Sequence, residues 1–445
     1  MELCVYSIKE ATLDNPMCGK LVKTKTMKFF NNGYLPDWFL IEVLSRLPLK
    51  CVFRYKCVSK RWRFLICEPL FASLYVSRVS LCQTPWTILG NTLCVKGDRV
   101  LVQSLLPNLD NNRLDTRLSI VNFPSIVWDE EGSYERCNIV GVSDGGGHVL
   151  FDRGTSVEIS DYHIYDAITG HCVALPRTST RVLGCVSVGL ITKSEGRSLT
   201  SYNVVRLDCP CGESYALKFK VFSPETGRWR GVVVDMDLGI EVVWLRSPVG
   251  LNGKLHWIDR RHGILSFNPL VEFNQCRLIG LPGDIDEQCI DARNNGSPVL
   301  LDVHQGCLRY TEVSVKSVYP YGFSSISVWI LDEYDSSSSW SLQHKVKIKE
   351  LSFDDSLTSK ALNGIIPTPI AFHPFDANVL YLGFGDTVVS YNLKTLKLNA
   401  LVDPADVRGG SLKGTTPRWS SAFLLTLPPW PISLPDVRKE TLTKC

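Results

Sequence analysis

Two hydrophobic periodicities divide this chain, and the switch between them near residue 80 constrains its fold more than any other feature. Before it, in LPDWFLIEVLSRLPLKCVFRYKCVSKRWRFLICEPLFASLY (residues 35–75), apolar residues recur at helical spacing. Leu40, Val43, Leu44 and Leu47 fall at i, i+3, i+4 and i+7, one stripe along a helix. After it, short β-rich runs alternate with turn signals. About forty residues are too few to enclose a stable core, so the helical stretch carries apolar surface that a partner protein would bury.

The helical stretch has its own punctuation. Pro36 suits a first helical turn and Asp37 lies near the positive end of the dipole. Pro48 stops that helix, because a residue before proline is pushed out of the α region. A second helix is expected from about Lys50 to Cys57. Ser59 reads as the N-cap of a third, in which Trp62, Leu65 and Ile66 share a face and which Glu68-Pro69 ends. In this region Lys50, Arg54, Lys56, Lys60, Arg61, Arg63 and Arg78 outnumber Asp37, Glu42 and Glu68. The local excess is larger than the +3 of the whole chain and leaves the remainder near neutral. Without a nucleic-acid-binding motif, this basic patch reads as a solvated face or a complement to an acidic protein.

The β-rich part repeats one plan. Tyr165-Asp166-Ala167-Ile168-Thr169-Gly170, Phe222-Ser223-Pro224-Glu225-Thr226-Gly227 and Tyr391-Asn392-Leu393-Lys394-Thr395-Leu396 align as strand end, polar turn and strand start. In the first two, Thr-Gly supplies the positive-φ position that closes a tight hairpin. Gly253-Lys254-Leu255-His256-Trp257 starts another hairpin and Gly263 turns it back. A unit spacing of roughly 45 to 57 residues fits four-stranded propeller blades. The late strand Trp419–Leu427 is expected to pair with an early one, since an open ring would leave sheet edges exposed.

These residues carry a resemblance. Leu35-Pro36, then Ile41, Leu44 and Leu47-Pro48, then Val58-Ser59-Lys60-x-Trp62-x-x-Leu65, with Phe71 beyond, resemble an F-box of the plant type. The resemblance implies docking on the Skp adaptor of a cullin–RING ubiquitin ligase. Leu35, Pro36, Ile41, Leu44, Leu47, Pro48, Val58 and Trp62 would then form or support the adaptor-facing surface. Trp38 departs from the pattern, which has a small or acidic residue there. The remainder resembles the kelch-like F-box-associated β-propeller of plant F-box proteins, although the kelch double glycine is largely missing. Gly145-Gly146-Gly147-His148 is its nearest approach.

The expected fold is a small all-α F-box of three helices followed by a large all-β domain, a kelch-like propeller of six or seven blades; an array of β-sandwiches is the alternative. The expected divisions are a flexible leader (1–34), the F-box (35–79), the propeller (80–430) and a tail (431–445), with Met27 as an alternative start. No signal peptide is read: Glu2 and Glu10 interrupt the N-terminus and no apolar core follows. The stretch from Ala422, AFLLTLPPWPISL, is short and broken by prolines, so no membrane span is expected. The sixteen cysteines lack regular spacing and suit a reducing cytosol or nucleus.

Chemistry is not evident. Cys209-Pro210-Cys211 has no second pair at zinc spacing. Asp161-x-His163, His256, His304 and His373 read as satisfied polar residues in or beside strands. Gly141-Val142-Ser143-Asp144-Gly145 matches Gly-x-Ser-x-Gly, but no helix-forming segment follows, as a nucleophile elbow requires. Gly383-Phe384-Gly385-Asp386 precedes a β-rich run and reads as a turn. Trp128, Trp229, Trp244, Trp257, Trp329 and Trp340 read mostly as blade core. Ser336 to Ser339 reads as a surface loop. With no catalytic pattern evident, the expectation that the resemblance implies is a non-enzymatic substrate receptor with no cofactor or metal, bound to the Skp adaptor and through it to a cullin–RING ligase. It would hold a target protein by its propeller loops. An adaptor-bound scaffold without ubiquitylation and a propeller enzyme or small-molecule sensor are the competing classes.

Overall fold

The structure is a computed structural model that describes residues 35–78, 86–94, 100–107, 114–115, 138–144, 147–153, 159–179, 184–195, 198–210, 212–242, 247–259, 261–270, 276–282, 298–315, 323–334, 339–347, 350–353, 366–384, 387–400, 415–430, 434–435 and 437. The expected leader (1–34), the CPC side chains, Gly145-Gly146, Trp128, Trp244 and most of the Ser336 loop lie outside them. The chain divides into two compact units, Met1–Phe71 and Ala72–Cys445.

The helices are α1 (Asp37–Leu44), α2 (Leu49–Tyr55), α3 (Lys60–Cys67) and α4 (Pro69–Arg78). Among the described residues four helices stand where three were expected. Glu68 is extended, which ends α3, but Pro69 then opens a new helix at a position where its missing N–H removes no bond. Pro36 and Pro48 sit outside α1 and α2 as extended caps whose carbonyls accept the first N–H groups of each helix. Ser59 caps α3 as expected, its hydroxyl accepting from Trp62 N–H at 3.1 Å.

The larger unit is built from antiparallel sheets of sequential strands. β1 (Trp86–Cys94), β2 (Val100–Pro107) and β3 (Leu114–Asp115) form the first. The second contains β4 (Asn138–Val142), β5 (His148–Asp152), β7 (Tyr162–Asp166) and β8 (Cys172–Ala174), while β6 (Ile159–Ser160) and β9 (Thr178–Ser179) pair beside it. Then come β10 (Gly184–Glu195) through β11 (Ser198–Pro210) and β12 (Ser214–Ser223) to β13 (Arg228–Ile240). Next is β14 (Val249–Leu251), β15 (Lys254–Ile258), β16 (Gly263–Phe267) and β17 (Cys276–Gly280). The fifth sheet is β18 (Val299–His304), β19 (Cys307–Val315), β20 (Phe323–Leu331) and β21 (Trp340–Lys347). A last sheet holds β23 (Thr368–Phe372), β24 (Val379–Phe384), β25 (Thr387–Asn392) and β26 (Lys397–Ala400), with β22 (Ser352–Phe353) parallel to β26.

The ring closes as the sequence suggested. β27 (Thr415–Thr426) completes the first sheet by pairing antiparallel with β1, from Trp86 opposite Thr426 to Cys94 opposite Thr415. The inner strands meet in turn: β27 with β4, β4 with β10, β10 with β14, β14 with β18, β18 with β23, and β23 with β27. The blade expectation needs correction. Among the described residues five sheets have the four-stranded blade form, not six or seven. The sheet of β22 to β26 departs from that form because a short segment before β23 adds to its outer edge.

Packing follows this order, since each apolar cluster lies between neighbouring sheets. Phe219 stacks on Phe267 at 4.1 Å between centroids in one of them, with Trp257 beside both. Trp257 and Trp329 are buried, as the sequence indicated. The tryptophans also tie sheets together. Trp229 Nε1 donates to the Pro176 carbonyl, Trp340 Nε1 to the Gly280 carbonyl (both 2.7 Å), and Trp257 Nε1 to Ser187 Oγ at 3.0 Å. Each bond reaches the preceding sheet, and that of Trp257 satisfies a donor that burial would otherwise strand.

The three aligned hairpins share one closure. The N–H groups of Gly170, Gly227 and Leu396 donate to the carbonyls of Asp166, Ser223 and Asn392, all at 2.9 Å. Gly170 and Gly227 have φ of +75° and +66°, and Leu396 takes +58° without being glycine. Leu396 packs against the neighbouring apolar cluster, which offsets the strain of that backbone.

Candidate functional site

Among the described residues of the helical unit, Leu40, Leu44, Val52, Leu65, Ile66 and Phe71 are the buried apolar ones. Arg61, early in α3, donates from Nε to Asp37 Oδ1 (2.8 Å) and from Nη2 to the Leu35 carbonyl (2.6 Å), pinning the start of α1. Tyr55 meets Trp62 edge-on at 5.4 Å, joining α2 to α3.

Against this small core the exposed apolar set is large. Leu70 is 80% exposed, Trp38 66%, Phe64 65%, Val58 58% and Val43 43%. Of the residues assigned to the adaptor surface, Val58 and Pro48 are exposed, while Leu35, Pro36, Ile41, Leu47 and Trp62 are half-buried. Leu44 is 1% exposed and belongs to the core, so it can only support that surface from beneath. Val43 was placed on the buried stripe but faces out, because α1 ends at Leu44 and its inner face is carried by Leu40 and Leu44. Trp38 stands out in the sequence as a departure from the pattern, and Phe64 and Leu70 are further exposed apolar residues that helical periodicity does not single out.

The ring also holds a cavity of about 590 Å³. Its walls come from β4, β14, β15, β18, β23 and β27 or the turns beside them, and they bring together Asp144, Asp302, His304 and His373. The sequence, in which these residues are far apart, gave no sign of this convergence. Asp302 is enclosed by protein yet opens onto the cavity, and burial pushes its carboxyl up to about 6. Hydrogen bonds from Phe372 N–H (3.2 Å) and Val303 N–H (2.8 Å) and the cation of Arg309 oppose that rise. Arg309, opposite Asp302 on β19, lies 4.2 Å from the centroid of Phe372 and donates to the Ala377 carbonyl. Burial also raises Asp144 and lowers His304 and His373. His373 Nδ1 accepts from Phe375 and Asp376 N–H, whereas the buried Nε2 of His304 has no hydrogen-bond partner. Above about pH 6 the cavity therefore presents the Asp302 carboxylate as an acceptor, and His373, whose Nδ1 is already occupied as an acceptor, offers its Nε2–H as a donor.

The other chemistry-bearing motifs are structural. Ser143 of the Gly-x-Ser-x-Gly match is buried, its hydroxyl accepting from His148 N–H at 3.1 Å, and a strand rather than a helix follows. Of Gly383-Phe384-Gly385-Asp386, Gly383 and Phe384 end β24, with Phe384 opposite Thr387 at the start of β25, and Gly385 and Asp386 lie outside the described residues. His256 is fully buried, held between the Val249 carbonyl (3.2 Å) and Tyr334 Oη (2.6 Å). Among the described residues no group of three or more His, Cys, Asp or Glu could hold a metal ion, and no helix is long and apolar enough to cross a membrane.

Comparison with known proteins agrees with this layout. The F-box domain family matches residues 35–73, and the family described as F-box protein At3g26010-like, beta-propeller, matches residues 120–419. The F-box protein At3g28330 of Arabidopsis thaliana is 25% identical over 382 residues, covering 83% of this chain and 85% of that protein. F-box protein At5g07610 of the same plant is 25% identical over 332 residues, covering 71% of each chain. F-box protein At1g49990, also from Arabidopsis thaliana, is 23% identical over 368 residues, 77% of this chain and 80% of that one. An F-box followed by a closed ring of β-sheets, matched over most of its length, places the chain in the At3g26010-like β-propeller family of plant F-box proteins.

Proposed function

We propose that this protein is a substrate receptor of a Skp–cullin–F-box ubiquitin ligase. The observation that carries the reading is the pairing of an F-box, rich in exposed apolar side chains, with a propeller on the same chain. The F-box docks on the Skp adaptor, the partner that covers those side chains, and the propeller holds a target protein. Tethering raises the concentration of a target lysine near the ubiquitin thioester, so the receptor needs no catalytic side chain of its own. The complex would work in cytosol or nucleus.

The test is a pull-down of the full chain with a Skp adaptor. Wild-type protein should bind, and the pair Leu47→Ala with Pro48→Ala should abolish binding. Val58→Asp should do the same without touching the core, because Val58 is exposed. Failure of wild type to bind, or full binding by Val58→Asp together with the double variant, rejects the reading. Proteins that accumulate in cells lacking the receptor, and are stabilised when the ligase is blocked, identify the target.

The cavity favours a second reading, a receptor that also senses a small polar ligand. Native mass spectrometry of the purified chain should then show a bound small molecule that Asp302→Asn removes. Protein of apo mass only, from cells and after incubation with plant extract, rejects this reading.

A further inference from the structure

The outer hairpin of the second sheet carries a cysteine, a histidine and a carboxylate that the receptor reading does not use. His163 on β7 is in register with Ala174 on β8, so Cys172, two residues earlier on β8, lies diagonally across from it on the same face. The connecting turn fixes that relation. Asp166 Oδ1 accepts from Ile168 N–H (2.8 Å) and Thr169 N–H (3.2 Å), and Thr169 Oγ1 donates to Asp166 Oδ2 at 2.6 Å. On this face Cys172 Sγ stands 3.9 Å from His163 Nδ1, and His163 Nε2 stands 3.1 Å from Asp161 Oδ1. Arg177 holds the other oxygen of Asp161, at 3.2 Å from Nη2. A carboxylate only accepts, so the proton of the neutral imidazole sits on Nε2 and the Nδ1 lone pair faces the thiol. Cys172 is a free, exposed thiol on the outermost strand of its sheet.

We propose that Cys172 is a nucleophilic modification site for hydroperoxides, with His163 as its base and Asp161 as the positioning residue. The thiol proton passes to His163 Nδ1, and the sulfur lone pair attacks one peroxide oxygen. The O–O bond breaks and the departing oxygen takes the proton from the imidazolium. With hydrogen peroxide, sulfur is oxidised to the sulfenic acid and the peroxide is reduced to water. A reactant this small needs no pocket, which suits an open outer strand.

The surroundings make the histidine decisive. Partial burial holds the Cys172 thiol above its ordinary value, while the Arg153 guanidinium pulls it down. Tyr165, directly opposite Cys172 across the hairpin, is raised by burial and then by the neighbouring Asp166 and Cys172. Unassisted, Cys172 would stay protonated near neutrality and react slowly. Its reactivity therefore depends on His163, and that of His163 on Asp161 and its partner Arg177.

The full chain is treated with hydrogen peroxide and dimedone, which traps sulfenic acid, and each cysteine is quantified by mass spectrometry across a pH series. Cys57 and Cys67, exposed in the helical unit, serve as comparators. Cys172 should be trapped roughly tenfold faster than either near neutral pH, and His163→Gln should bring it down to their rate. Asp161→Asn should slow trapping and move its pH profile upward. Equal rates at the three cysteines in the wild-type chain overturn the proposal, as does an unchanged rate and profile in His163→Gln. Cys276, whose thiol burial pushes up to about 12, stays unlabelled in any variant that remains folded.

Discussion

His256 couples the stability of the ring to pH in a window that can be worked out from its surroundings. Burial pushes its imidazole from an ordinary 6.5 down to about 4, and the nearby ammonium of Lys254 adds to that fall. The hydrogen bond to the Val249 carbonyl opposes it only in part. Lys254 and Arg277 both lie over the Tyr334 ring, whose hydroxyl meets His256 Nε2 at 2.6 Å. The folded-state value lies below the unfolded one, so the unfolded chain binds more protons between the two. Stability is therefore complete above the unfolded value of about 6.5 and is lost as the pH falls toward about 4. The gap corresponds to a limiting loss of about 3 kcal/mol, of which about 1 kcal/mol has appeared by about pH 5.5.

The perturbation is His256→Gln, whose amide can still donate to Val249 and accept from Tyr334 but cannot titrate. Urea unfolding of both proteins from about pH 7.5 to about pH 4.5 separates this residue from the others that titrate, provided the difference between the two is taken at each pH. That precaution matters because Asp302, raised to about 6, acts in the opposite direction and adds stability as the pH falls. The variant should be less stable than wild type at neutral pH and should close the gap by about 2 kcal/mol or more at the acid end. A difference that stays constant across the range would refute the reasoning.

Three further outcomes follow from single contacts. Gly263 has φ of +148° and its missing Cβ faces the Ile279 carbonyl, so Gly263→Ala should cost at least about 2 kcal/mol in urea unfolding. Arg206 and Asp208 are buried and joined at 2.7 Å; Asp208→Asn leaves the guanidinium without its counter-charge and should cost roughly 3 kcal/mol or more, read by the same measurement. Ser59→Ala removes the cap of α3 and should destabilise the helical unit by about 1 kcal/mol, read as faster amide exchange in α3 and weaker adaptor binding.

Much of this architecture was readable in residue order because its causes are local. The Ser59 cap, the shared hairpin turns and the change of period near residue 80 depend on residues a few positions apart. The pairing of the last strand with the first followed from the cost of an open edge. Local signals failed where two elements compete for one stretch. Pro69 was read only as a stop, although a proline that ends one helix can open the next. The extra strand β22 was missed because two residues carry no period.

The sites were less legible. The helical stretch declared itself a docking module, since its order of apolar residues is specific and its core is too small to hide them. Which of those residues face outward was settled by packing: Leu44 went inside and Trp38, Val43, Phe64 and Leu70 stayed out. His304 and His373 read as isolated polar residues, yet ring closure sets them in one cavity with Asp144 and Asp302. Asp161 and His163 are near neighbours in sequence, but strand register alone places Cys172 across from them. Most of the elements and turns were legible in residue order, because they obey short-range sterics and hydrogen bonding. Which side chains meet emerged from strand register and ring closure, which join residues that no local pattern connects.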